Sequence, residues 1–243
     1  MAHGQPDFGA NAPKETIYSL PDLGELAARL GSVMRYNRSG NLLWYDDFRE
    51  SVSKWTPTYS GGTGSWGISP AKALIGGTSG LLTTPSMSGS LARIETDLVY
   101  PVQGKIGFEA AITQESTTSP IDIKIEAGIP PSYSMWVIRY AYETSTLSIF
   151  GSDGAYHMLS SSLELSVLHK GFHHFKVIID LATDRYHSLK IDNSSYPVTA
   201  YSAYKTGIWP TAMLRVTVEI TNIHVILPTT AYIGAAIITQ NEA

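Results

Sequence analysis

The chain of 243 residues contains no cysteine. Disulfide bonds, zinc sites built on thiolates and cysteine nucleophiles are therefore excluded. Charged residues are also scarce, at 16% of the chain against about a quarter in a typical soluble protein. The 17 lysines and arginines are scattered among 21 acidic residues, so the sequence offers no basic patch that would follow a nucleic-acid backbone.

Targeting signals are missing as well. The first ten residues, MAHGQPDFGA, include neither a basic start nor an apolar stretch, so no signal peptide is visible. No run of 18 apolar residues occurs, which predicts that the chain does not span a membrane. The 43% of hydrophobic residues are nevertheless enough to bury a core, as expected of a globular protein.

Serine, threonine, tyrosine and glycine are abundant where a typical sequence has charged residues, and this composition favours strands and tight turns. From Asn41 onward apolar and polar residues alternate, most clearly over 121–127, and the segment 175–191 is typical of a hairpin. Strands at such short intervals predict an all-β fold, an antiparallel two-sheet sandwich over residues 41–227. The residues expected to face its core are Ile106, Phe108, Ile121, Ile123, Ile125, Phe175, Val177, Ile179, Val216 and Val218.

The N-terminal segment, residues 1–40, differs from the rest and is predicted to form an extended arm with one short helix. Leu20, Leu23 and Leu30 fall on one face of that helix, which therefore has to dock against another surface. Two docking surfaces are open: the chain's own domain, or a neighbouring subunit to which the three leucines would bind.

The C-terminal segment, residues 228–243, is predicted to form a separate strand or tail, in which residues 232–239 are nearly all apolar. An apolar strand at the end of a sandwich can pair with the sheet edge of another copy, since this satisfies its backbone hydrogen bonds. Ile233, Ile237 and Ile238 are therefore expected to be assembly contacts.

Three segments carry a family resemblance: LWYDDF at 43–48 with Trp55 soon after it, GFHHFKVIIDL at 171–181, and RYHSLKID at 185–192. Together they resemble strands of the concanavalin A-like and laminin-G-like jelly rolls. The resemblance covers roughly residues 41–227 and implies a jelly-roll sandwich. The N-terminal pattern FGA followed by YSLPDLGELAARLGS is similar to uncharacterised phage-type structural proteins.

Glucanases of this superfamily carry the motif E-x-D-x-x-E, whose carboxylates cleave the glycosidic bond. Glu95 and Asp97 match its first two positions, but Val99 or Tyr100 occupies the position of the third carboxylate. With this set incomplete, and with no serine-hydrolase or phosphate-binding motif, the sequence predicts no catalytic residues and a protein that is not an enzyme.

Two further pairs of acidic residues are candidates for a functional site. Asp122 and Glu126 share a strand face, but Lys124 lies between them and is expected to neutralise the pair, leaving a solvated outer face. Asp46 and Asp47 could supply oxygens to a Ca²⁺ ion, as in many lectin-like sandwiches. Otherwise neither a metal nor a cofactor is predicted.

Two functions remain from different classes. The first is a structural subunit whose terminal arms bind copies of the same chain in a virion, tail or filament, which places it in a virion or an extracellular assembly. The second is a carbohydrate-binding, lectin-like module that recognises glycans through exposed aromatic side chains surrounded by polar groups. The tryptophans considered for such a platform are Trp66, Trp136 and Trp209.

Overall fold

The computed structural model of the protein describes residues 40–74, 77–101, 104–115, 119–129, 132–165, 171–207, 212–224 and 226–242. Within them the chain forms sixteen β-strands, numbered here along the chain, and one short 3-10 helix, Tyr142–Thr144. The predicted helix with Leu20, Leu23 and Leu30 lies outside the described residues. Across the described ranges, no helix is long and apolar enough to cross a membrane.

The strands form two antiparallel sheets, A and B, so the predicted all-β, two-sheet architecture is confirmed. In spatial order, sheet A consists of β13 (Ser194–Tyr196), β12 (Arg185–Ile191), β11 (His173–Asp180), β6 (Lys105–Gln114), β16 (Thr230–Gln240), β4 (Ser79–Thr83) and β3 (Ser65–Ser69), with β1 (Asn41–Asp46) also paired to β16. Sheet B consists of β10 (Tyr156–Ser160), β9 (Thr146–Phe150), β8 (Ser132–Ala141), β7 (Pro120–Ile129), β15 (Met213–Thr221), β5 (Leu91–Val99) and β2 (Thr56–Ser60), with β14 (Tyr204–Thr206) also paired to β8.

The core lies between the two sheets, and the predicted inward-facing side chains are confirmed. All ten belong to one apolar cluster, and each is at most 2% exposed. The predicted hairpin is also confirmed, since β11 pairs with β12 across a short turn that ends at Asp184, whose φ of 55° lies in the left-handed region. Along β5 and β7, alternation decides which side chains enter the core and which face outward.

The predicted role of the C-terminal strand in assembly is wrong. β16 is an interior strand of sheet A: it pairs with β6 on one side and with β4 and β1 on the other. Ile233, Ile237 and Ile238 are buried within the chain's own structure. Because its ladder hydrogen bonds are made on both sides, the strand presents no free edge to a neighbouring copy.

Replacing Ile123 by alanine should destabilise the fold by about 2–5 kcal/mol, because the change leaves a cavity in the core against β7. Urea unfolding of the purified protein measures this loss. Val99→Ala is the matched control on the neighbouring part of the sheet, since Val99 is 89% exposed. A loss below about 0.5 kcal/mol for Ile123→Ala would contradict the placement of β7 in the core.

Candidate functional site

Along the central strands of sheet B, charged side chains alternate with core residues and therefore lie on the outward side of the sheet. β15 lies between β5 and β7 and pairs with both, so outward residues of the three strands stand in rows: Arg215 lies opposite Asp97 and Glu126, and Glu219 opposite Arg93 and Asp122. We call this surface the polar face. It comprises Arg93, Glu95 and Asp97 on β5, Arg215, Thr217 and Glu219 on β15, and Asp122, Lys124 and Glu126 on β7.

Arg215 is held on the side of the polar face nearest β5. Its guanidinium donates two hydrogen bonds to Asp97, Nε to Oδ1 at 2.6 Å and Nη2 to Oδ2 at 2.9 Å. Its Nη1 lies 3.6 Å from Oε1 of Glu95, while Nε of Arg93 lies 3.4 Å from the other oxygen of that carboxylate. The bidentate pair orients Arg215 toward β5 and keeps Glu95 between two cations.

The expected pairing of Lys124 with Asp122 and Glu126 is wrong. Lys124 instead pairs with Glu219 across the strands, Nζ to Oε2 at 2.8 Å. Asp122 is 3% exposed rather than solvated, and Arg139 of β8 binds it with two hydrogen bonds of 2.7 and 2.6 Å. The cross-strand register places Lys124 near Glu219 and Arg139 near Asp122, and this determines the two ion pairs. The spacing of residues within β7 alone does not reveal them.

Glu126 is the exception on this face, since no ion pair within 4.0 Å links it to another residue of the described ranges. Burial raises the pKa of its carboxyl group, and the nearby charge of Glu95 adds to the rise, while Arg215 and Lys124 oppose it. Glu126 and Glu95 therefore lie in different environments. Glu126 is half-buried and has no ion pair to the part of the chain that the structure describes, whereas Glu95 lies between two arginines.

Aromatic side chains continue the polar face on its other side. The ring of Phe150 lies 5.0 Å from that of Tyr156 and 5.3 Å from that of Tyr204, between ring centroids. We call these three residues, from β9, β10 and β14, the aromatic cluster. Tyr156 is 39% exposed, its hydroxyl lies 3.4 Å from Oδ2 of Asp122, and the guanidinium of Arg139 lies 4.2 Å from its ring centroid.

The three tryptophans considered for sugar binding do not form an exposed platform in the described residues. Trp136 belongs to the core cluster, so its prediction is corrected: it shares the inward face of β8 with Ile138. Trp66 is half-buried, its ring lies edge-to-face on Phe48 at 5.7 Å, and its indole N–H donates to the carbonyl of Val52. Trp209 lies outside the described residues.

The aromatic cluster is absent from the sequence predictions, although one local signal points to it. Phe150 and Tyr156 flank the turn residues 151–155, and in the structure they are cross-strand partners in the β9–β10 hairpin. Partners across a hairpin share a face of the sheet, so their rings had to meet. The contribution of Tyr204 could not be foreseen, because β14 reaches β8 from a distant part of the chain.

Asp46 and Asp47 already have partners that argue against a shared Ca²⁺ ion. The buried carboxylate of Asp46 accepts hydrogen bonds from the Trp55 indole at 3.0 Å and from the backbone N–H of Phe48 at 3.1 Å. Asp47 forms an ion pair of 3.0 Å with Arg49. Among the residues that the structure describes, no group of three or more histidine, aspartate or glutamate side chains is placed to hold a metal ion.

Comparisons with known proteins identify the fold. No family model and no curated protein matches the chain. A carbohydrate esterase of the Shiga toxin-encoding bacteriophage phi24B is 13% identical, with a TM-score of 0.57 over 84% of this chain and all of that one. Cellulose induced protein Cip1 is 13% identical, with a TM-score of 0.52 over 81% of this chain and 97% of that one.

A third structure is the GH16 protein of a Bacteroides ovatus mixed-linkage glucan locus, in complex with a G4G4G3G product. It is 13% identical, with a TM-score of 0.50 over 81% of this chain and all of that one. The likenesses support the jelly-roll sandwich fold that the sequence motifs implied. They do not show the phage-type similarity of the N-terminal segment, and none of them supports assembly into a virion or filament.

The prediction that the protein is not an enzyme is corrected by the same comparisons. Structures of this fold include a carbohydrate esterase and a GH16 protein with bound product, so the fold is one that carries active sites. The prediction relied on the missing third carboxylate of one strand. That premise fails here because the polar face collects its carboxylates from three neighbouring strands.

Glu126→Gln should alter how stability depends on pH. A carboxyl group whose pKa is raised in the folded state stabilises the fold below its ordinary pKa of 4.5, and this contribution is lost as the pH rises through the folded value. The free energy of unfolding of the wild type should therefore fall relative to that of Glu126→Gln as the pH rises above 4.5.

Urea unfolding at several pH values tests this, with Glu50→Gln as a control for the loss of one negative charge at an exposed position. If wild type and Glu126→Gln keep the same difference in stability across the range, the assigned environment of Glu126 is wrong.

Proposed function

We propose that the polar face and the aromatic cluster together bind a glycan. A sugar ring presents an apolar face edged by hydroxyl groups, so it binds where an exposed aromatic ring adjoins oriented polar groups. Tyr156 provides such a ring, and Asp122 and Arg139 lie directly beside it. The contact of Tyr156 with the Asp122–Arg139 pair is the observation that carries the proposal.

The fixed geometry of the polar groups also supports glycan binding. Arg139 and Arg215 are each held by two hydrogen bonds to an aspartate, so their remaining N–H groups point in fixed directions. Preorganised groups lose little conformational freedom when a ligand binds. The proteins of similar fold agree with this choice of function, since their names refer to carbohydrate esterase, cellulose induction and glucan.

The C-terminal strand does not support self-assembly through the terminal arms, because β16 is an interior strand of the chain's own sheet. The proposed contacts of Leu20, Leu23 and Leu30 with other copies stay a prediction, as does localisation in a virion or extracellular assembly. Glycan binding is compatible with either location.

Hydrolysis of the bound glycan is a second candidate, favoured by the contrast between Glu126 and Glu95. With its raised pKa, Glu126 can donate a proton to the oxygen of the leaving sugar. Glu95, which lies between Arg93 and Arg215, can accept a proton from the water that attacks the anomeric carbon. The strands that carry them lie on either side of β15, so both carboxylates belong to the polar face on which the glycan would lie.

Tyr156→Ala should weaken glycan binding by about tenfold or more, because it removes the exposed ring against which the sugar would pack. An array of oligosaccharides identifies the glycan that the wild type binds, and titration calorimetry with it measures the loss. Tyr45→Ala is the matched control, since Tyr45 is 37% exposed but lies on sheet A. A wild type that binds no glycan, or equal losses in both variants, would refute the proposal.

If the bound glycan is also cleaved, Glu126→Gln should lower the cleavage rate by about 10²–10⁴-fold and leave binding nearly unchanged, because the amide cannot donate the catalytic proton. Chromatography of the products measures the rate, and proton NMR of the first turnovers shows the anomeric configuration. A glycan that is bound but stays intact rules out hydrolysis without affecting the binding proposal.

A further inference from the structure

The cations of the polar face already form ion pairs with its own carboxylates, and this restricts the glycans that the face can bind. Including Arg139, it carries four cations, and each lies within 4.0 Å of a carboxylate on the same surface. The carboxylates are five: Glu95, Asp97, Asp122, Glu126 and Glu219. The cations therefore do not outnumber the carboxylates, and each cation is already paired.

An anionic glycan, such as a uronate or a sulfated sugar, would need one of these cations as its partner. Taking Arg139 from Asp122, or Lys124 from Glu219, would leave a buried carboxylate without its cation. Removing one partner of a buried ion pair is strongly unfavourable, and carboxylates near the ligand would repel it further.

An uncharged glycan meets no such penalty. Sugar hydroxyls both donate and accept hydrogen bonds, so they can bind the remaining lone pairs of the carboxylates and the remaining N–H groups of Arg139 while every ion pair stays intact. We propose that the polar face selects uncharged glycans because its cations are neutralised by its own carboxylates. This inference rests on the proposed glycan-binding function and adds the class of ligand.

A substitution in the ion pair of Asp97 and Arg215 should allow the polar face to bind anionic glycans. Asp97 holds the guanidinium of Arg215 by two hydrogen bonds, yet its side chain is 48% exposed, so an amide at this position should be accommodated. Asp97→Asn removes the carboxylate that binds Arg215 by two hydrogen bonds, so the polar face gains one unit of positive charge at a guanidinium that Glu95, at 3.6 Å, offsets only in part. Asp47→Asn is the matched control, because it removes the carboxylate paired with Arg49 at a site outside the polar face.

The experiment measures the affinities of the full chain for an array of neutral oligosaccharides (β-glucan, xylan, mannan and galactan) and anionic ones of the same length (galacturonan, alginate and sulfated galactan). The wild type should bind a neutral glycan at least about tenfold more tightly than any anionic one, with little dependence on salt. Asp97→Asn should raise the affinity for an anionic glycan by about tenfold, and Asp47→Asn should leave it unchanged.

The other outcomes would contradict either the selection for uncharged glycans alone or glycan binding as well. Anionic glycans bound as tightly as neutral ones, or an Asp97→Asn variant that gains no affinity for them, would overturn the selection while glycan binding itself stands. Equal gains in Asp97→Asn and Asp47→Asn would show a general charge effect and would overturn it too. A wild type that binds no member of the array would overturn the glycan-binding function and this inference with it.

Discussion

The pairing of β15 with β5 on one side and β7 on the other is the constraint on which the rest of the structure depends. Its register places residues 213–221 opposite 91–99 and, over most of its length, opposite 121–128. Since side chains alternate with a period of two, this one register creates the core and the polar face together. A slip of one residue would turn Val216 and Val218 outward and bring Arg215 into the core.

The same register makes it possible to bury charge on the outer side of a sheet. Asp122 and Glu219 lose most of their contact with water, which is costly for a carboxylate unless a cation and hydrogen bonds compensate. Arg139 and Lys124 compensate them from neighbouring strands. The result is a polar surface with fixed geometry beside the aromatic cluster, and this arrangement, more than any single residue, resembles a binding site for a polar ligand with an apolar face.

The failed predictions share a physical cause: a pattern in one strand does not reveal what covers its two faces. β16 is apolar on both faces because it is an interior strand whose two faces are both covered; its Tyr232, for example, packs with Phe172 on the side away from the core. Considered by itself, the same apolar run predicts an unpartnered tail. Trp136 was considered for sugar binding, although its alternation with Ile138 already placed it in the core of β8.

The sequence by itself determined the all-β class, the inward residues from Ile106 to Val218 and the hairpin of β11 and β12, because these depend on local alternation and turn chemistry. It also placed Glu95 with Asp97, and Asp122 with Glu126, on shared faces. Only the tertiary structure decided which cation pairs with which carboxylate, that Glu126 has no ion pair within the described residues, and that Phe150, Tyr156 and Tyr204 meet. Those contacts join strands far apart in the chain, and strand order is set by packing of the whole core rather than by any local pattern.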